Sequence, residues 1–151
     1  MHIFVEHTIY ASPDDVAAIM FDPDREGEWI AKGGKAERLT PGDLAVGSQV
    51  RHDVGVLGWQ FSFVTEVTAL DPGRTLEMKT VDAADKGAII YQVVETSGGA
   101  IASIQVEDES MVRFPHSIWA RKKQAEENLV HLARAVANAH GGPAKDDGPD
   151  A

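Results

Sequence analysis

A chain of 151 residues suits a single domain that removes about two thirds of its unfolded surface from water. Hydrophobic residues make up 43% and charged residues 25%, and 24 acids against 14 lysines and arginines leave a formal charge of −10. That balance lacks the basic stripe that phosphate neutralisation requires, which sets aside nucleic acid and anionic membrane surfaces as partners.

Cysteine is absent, which excludes disulfides, thiolate metal sites, iron–sulfur clusters and cysteine nucleophiles, and suits a reducing compartment. The opening MHIFVEHTIYASPDD has neither a basic leader nor a long apolar core, so a signal peptide is not expected there. No apolar run approaches the ~20 residues of a membrane span. The expectation is a cytoplasmic protein without membrane insertion, either a monomer or a homodimer.

Residues 2–10 alternate and are rich in β-branched and aromatic side chains, which predicts a strand. Ser12-Pro13-Asp14-Asp15 is a helix start: Ser12 can cap, Pro13 suits the first position, and the two acids complement the dipole. Val16, Ala17, Ile19 and Met20 complete a short amphipathic helix over 13–20. Asp22-Pro23-Asp24 restarts a second short helix running toward Trp29-Ile30. From Lys35 onward the period becomes two, with strands predicted at 35–40, 47–55, 58–69, 74–81, 88–95 and 100–109, separated by Gly, Pro, Asp and Ser turns. Pro115 to His140 carries Ile118, Lys122, Ala125, Leu129, Leu132, Ala133 and Val136 at helical spacing, and Gly141-Gly142-Pro143 stops that helix. Residues 1–140 form the expected domain. The acidic tail 141–151, with AKDDGPDA at its end, lacks apolar content and is expected to be disordered.

This order describes an α+β fold: a seven-stranded, curved antiparallel sheet wrapped around one long C-terminal helix, with two short helices after the first strand. A helix about 37 Å long can lie across such a sheet. It does not fill the concavity, and the remaining space becomes a pocket for a small molecule.

Several segments resemble a known family. Ile9-Tyr10-Ala11-Ser12-Pro13-Asp14-Asp15-Val16, then Phe21-Asp22-Pro23 followed by Trp29, are similar to the opening of START-like polyketide cyclase/dehydrase proteins, the SRPBCC, helix-grip or Bet v 1-like superfamily. Further similar segments are Val46-Gly47-Ser48, Val64-Thr65-Glu66-Val67, Leu70-Asp71-Pro72-Gly73-Arg74-Thr75-Leu76 and Gly98-Gly99-Ala100-Ile101, where Ala100 replaces the threonine common in the family. The resemblance covers residues 1–140. It implies a helix-grip cavity and, as one activity, polyketide cyclase or dehydratase chemistry without a metal or nucleotide cofactor.

In 58–69, Trp59, Phe61, Phe63, Thr65 and Val67 share the more apolar face, which is placed inward; Met78 and Tyr91 lie on the corresponding faces of their strands. The candidate ligand-binding residues are Trp59, Phe61, Phe63, Met78 and Tyr91, together with Trp29, which serves as a wall or a packing anchor, and Lys122, whose ammonium can extend along the helix stripe. Trp119, one position from the stripe, is expected to be partly buried. His52 shares a face with Val50 and Val54 and can point inward; with Tyr91, Arg113 and His116 it forms the candidate acid/base set. A His52–His116 pair at the pocket mouth is one such arrangement, and Arg113 or Lys122 meeting a carboxylate or enolate is another. His2 and His7 face opposite sides of their strand. Glu107-Asp108-Glu109 reads as a solvated edge, and Arg121-Lys122-Lys123 as partners of Glu126 and Glu127 along the helix. No metal-ligand spacing and no nucleophile elbow occur. Three functions follow: a carrier of a small hydrophobic or amphipathic ligand, which the lack of a convergent catalytic set favours; a cyclase or dehydratase; and a protein-interaction module.

Overall fold

The N-terminal strand β1 (His2–Ile9) turns alternate side chains inward, burying Ile3, Val5 and Ile9 and half-burying His7 on the same face. A computed structural model describes residues 2–30, 34–56, 58–81, 87–108 and 115–140, with the side chains of 54–56, 59, 61 and 115–118 left aside. After β1 the chain enters α1 (Pro13–Met20), where Ser12 Oγ accepts from the Asp15 amide at 3.1 Å. Such a cap contributes about 1 kcal/mol. A 3₁₀ helix (Pro23–Glu28) follows, and then six strands: β2 (Lys35–Arg38), β3 (Gln49–Val56), β4 (Trp59–Asp71), β5 (Thr75–Thr80), β6 (Gly87–Thr96) and β7 (Gly99–Asp108). The long helix α2 spans Pro115–Ala139.

All seven strands form one antiparallel sheet in the order β1-β7-β6-β5-β4-β3-β2. Consecutive strands from β2 to β7 pair as neighbours, and the two short helices carry the chain from one edge of the sheet to the other. One irregularity alters the predicted faces. Val67 pairs with Met78 but Ala69 pairs with Glu77, so Thr68 is the extra residue of a bulge. The inward phase of Thr65 and Val67 therefore shifts, and Leu70, opposite Leu76, packs against the core instead of Ala69. At the other end, a Cβ on Gly99 would press into the Ile9 carbonyl oxygen, so β7 can approach the end of β1 only with glycine there.

The core lies between the inner face of the sheet, α1 and α2. Helix α2 packs on β1, β7 and α1 and also reaches β3 and the 3₁₀ helix. It buries Ala125, Asn128, Leu129, Leu132, Ala135 and Val136, a stripe at spacings of three and four. Each fully buried Leu or Val of that stripe contributes about 1.5–3 kcal/mol relative to exposure.

Two expectations about α2 need correction. Trp119 is 67% exposed, because one step from the stripe is about 100° around the helix, and it carries Lys123 Nζ 5.4 Å from its ring centroid. Arg121 bonds Asp108 of β7 at 3.1 Å across elements, in place of the expected pairing along the helix. The tail 141–151 and Glu109 lie outside the described residues. No helix among the described residues is long and apolar enough to cross a membrane.

Candidate functional site

The 3₁₀ helix brings two side chains to one face. At three residues per turn, positions i and i+3 project from the same side, so Glu26 and Trp29 point into the molecule together. Its start is fixed by Pro23 and by Asp22, whose Oδ1 accepts from the Asp24 amide at 3.0 Å. Arg38 of β2 then grips Asp22 at 3.0 Å and Asp24 at 3.2 Å, tying the helix to the edge of the sheet. At its end the Trp29 amide donates to the Glu26 carbonyl at 3.2 Å.

Facing these residues, β3 and β4 present His52, Phe63 and Thr65. His52 pairs directly with Phe63, and the rings stack at 5.0 Å and 21°. Thr65, two residues beyond Phe63, is on the same face and diagonal to His52. The result is a buried chain of polar groups: His52 Nδ1 lies 2.9 Å from a Glu26 carboxylate oxygen, and His52 Nε2 lies 2.9 Å from Thr65 Oγ1. Thr65 is 0%, His52 4% and Glu26 5% exposed. The neutral imidazole with its proton on Nδ1 closes the chain in one direction, since Nδ1–H donates to Glu26 and Nε2 accepts the Thr65 hydroxyl proton. Other acceptors for that hydroxyl, the Val50 carbonyl and Met78 Sδ, are both at 3.5 Å and correspondingly weaker.

Tyr91 and Met78, on the inner faces of β6 and β5, are buried beside this chain. Trp29, 1% exposed, meets the Tyr91 ring edge-to-face at 5.5 Å and 69°. Burial pushes the Tyr91 phenol well above its ordinary value of 10.0, and the nearby Glu26 carboxylate pushes in the same direction. Tyr91 is therefore a protonated hydroxyl and a donor. Trp29 Nε1 is buried with no hydrogen-bond partner, the one such side-chain atom among the described residues. Leaving such a donor unsatisfied costs about 1–3 kcal/mol.

The expected site residues divide accordingly. Trp29, His52, Phe63, Met78 and Tyr91 are brought together. Lys122 is exposed on α2 rather than extended into the core. Trp59 and Phe61 sit in β4 in phase with Phe63, but their side chains, like that of His116, are outside the described set, and Arg113 lies outside the described residues altogether. His52 has Glu26 and Thr65 as its partners. Glu26 was not anticipated as a site residue; the signal for it was its three-residue spacing from Trp29. A separate cleft of about 810 Å³ opens on the surface between β1 and the end of α2, lined in part by His7, Ile9, Tyr10, Ile101 and Val136, with His140 and Asp15 at 3.6 Å beside it. Among the described residues, no group of three or more His, Asp or Glu could hold a metal ion.

Solved structures share this architecture. The protein TTHA0849 from Thermus thermophilus superposes with a TM-score of 0.76 at 12% identity, over 92% of this chain and 99% of its own. The major latex-like protein 151 of Panax ginseng gives 0.68 at 14%, over 93% and 97%. The chain has the SRPBCC, Bet v 1-like helix-grip fold. DynU16, from the dynemicin biosynthetic locus, matches with a TM-score of 0.70 at 16% identity, over 95% of this chain but 49% of its own length. No family model matches the sequence, and no curated protein matches it.

Proposed function

We propose that this protein binds a small hydrophobic or amphipathic molecule, of lipid, polyketide or aromatic type, between the inner face of its sheet and α2. The observation that carries this reading is the polar set buried in a largely apolar interior: Glu26, His52, Thr65, Tyr91 and the unpartnered Trp29 N–H. Apolar sites with a few fixed polar groups are how folded proteins hold small molecules, the apolar wall supplying affinity and the polar groups orientation. Helix-grip relatives such as the ginseng latex-like protein support an architecture suited to such a cavity.

The test uses N-phenyl-1-naphthylamine, a neutral probe whose fluorescence rises in apolar surroundings. A saturable 1:1 enhancement that native mass spectrometry confirms as a complex is the expected result. Absence of saturable binding, with no small molecule co-purifying, refutes the reading.

A second reading has its own observation. The hydroxyl–imidazole–carboxylate order of Thr65, His52 and Glu26 is the connectivity that fixes a histidine tautomer for proton transfer. On a ligand held against it, His52 would act as acid/base and Glu26 would stabilise the imidazolium, which suits cyclisation or dehydration of a carbonyl compound. The origin of DynU16 in a biosynthetic locus is in keeping with that chemistry. Carriage is preferred because both nitrogens of His52 are already engaged by protein groups.

A further inference from the structure

We infer that the bound molecule presents a neutral hydrogen-bond-accepting oxygen, a ketone or similar carbonyl, to the Trp29 indole N–H, and that carboxylates are rejected from this site. The inference rests on the ligand-binding reading and specifies the chemistry of its polar end. Trp29 Nε1 is a buried donor without a protein acceptor, held in place by the cap of the 3₁₀ helix and by the edge-to-face contact with Tyr91. A donor fixed in this way inside an apolar cluster strengthens the binding of whatever acceptor reaches it, because no protein bond has to be broken first.

The sign of the charge follows from the neighbours. Glu26 is the buried acid beside this cluster, and its charge is felt at the Tyr91 hydroxyl. Inner-face residues described around it include Phe63, Thr65, Met78 and Tyr91, none of them cationic. Among the described residues there, His52 is the one group that could carry positive charge, and it already faces Glu26 at 2.9 Å. Among the described residues, Lys122 is exposed and Arg38 is taken by Asp22 and Asp24, so neither neutralises a second anion at this point. An incoming carboxylate would lose its hydration and meet Glu26, while a ketone oxygen would meet a donor. The second donor of the pair, the Tyr91 hydroxyl, adds to the preference for an acceptor.

Three probes of one shape test this: 9-fluorenone, fluorene and fluorene-9-carboxylate, each titrated against bound N-phenyl-1-naphthylamine. Fluorenone is the more polar of the first two, so burial alone ranks fluorene as the tighter ligand. The expected result is the reverse order, with fluorenone at least tenfold tighter than fluorene and the carboxylate at least tenfold weaker than fluorenone. The Trp29 indole ¹⁵N–¹H resonance, assigned with Trp29→Phe, should move downfield with fluorenone and hardly move with fluorene. Trp29→Phe, checked for native fold by circular dichroism, should bring fluorenone and fluorene within twofold of each other.

If the naphthylamine probe binds but fluorene equals or exceeds fluorenone, or the indole resonance does not respond, the acceptor inference is wrong and the ligand-binding reading survives. Carboxylate binding as tight as fluorenone overturns the charge argument. If no probe binds saturably, the ligand-binding reading fails and this inference fails with it.

Discussion

Replacing Glu26 by leucine tests whether the buried polar chain is a coupled unit. The side chains of His52 and Glu26 are 5% and 6% exposed, and their nearest polar atoms are 2.9 Å apart, so water cannot take over the role of either partner. Removing one member of a buried hydrogen-bonded pair leaves the other unsatisfied and costs about 1–3 kcal/mol, whereas exchanging both members for apolar groups is often near neutral. Glu26→Leu is therefore expected to destabilise by about 1–3 kcal/mol, which at this chain length lowers Tm by roughly 2–12 °C. His52→Phe should cost a comparable amount, since it leaves Glu26 buried and unpaired. The double variant should be clearly more stable than the sum of the two losses, with a coupling of about 2 kcal/mol or more, within the range for residues in one network. Urea unfolding followed by circular dichroism, with the slope held constant across the four proteins, measures all three numbers. Additive losses, or a loss below about 1 kcal/mol for Glu26→Leu, would refute the claim that these groups form one buried network.

Three further outcomes are expected. Trp29→Ala should cost about 3–5 kcal/mol from lost packing, whereas Trp29→Phe should cost far less, because it also removes the unsatisfied donor; paired urea melts compare them. Gly99→Ala should destabilise by about 1–3 kcal/mol as its methyl meets the Ile9 carbonyl, and hydrogen exchange should show the β1 amides opening first. The Tyr91 phenol is raised in the folded state, so its contribution to stability is complete below the unfolded value of 10.0 and is lost as pH rises from there through the folded value. Tyr91→Phe should therefore flatten the alkaline fall in stability, which unfolding series at increasing pH would reveal; an unchanged slope would contradict the burial of that hydroxyl.

The strands and helices were legible because their signals are local. Alternation, the Ser12-Pro13 cap and the Gly, Pro and Asp turns each act within a few residues, and every predicted element occurs, with ends that agree or differ by one or two residues. His52 could be placed inward from its phase with Val50, and Phe63 and Thr65 from the apolar face of β4. The Thr68 bulge could not be read, since it exists only through the pairing of β4 with β5. Glu26 was hidden for a different reason: an acid in a short polar helix reads as surface, and its burial depends on a histidine 26 residues away in another element. Trp119 shows the opposite error, an aromatic taken as partly buried when its angular position on α2 points it to water.

Because β1 lies between solvent and β7, its register partners are about a hundred positions away, His2 opposite Glu107 and Ile9 opposite Ala100. A nascent chain cannot complete that edge until nearly the whole sheet has been synthesised, and the closure spans a large loop. Until then Ile3, Val5 and Ile9 remain a sticky, unpaired ribbon, and chaperone demand during synthesis should fall on this first segment more than on the hairpins that follow it.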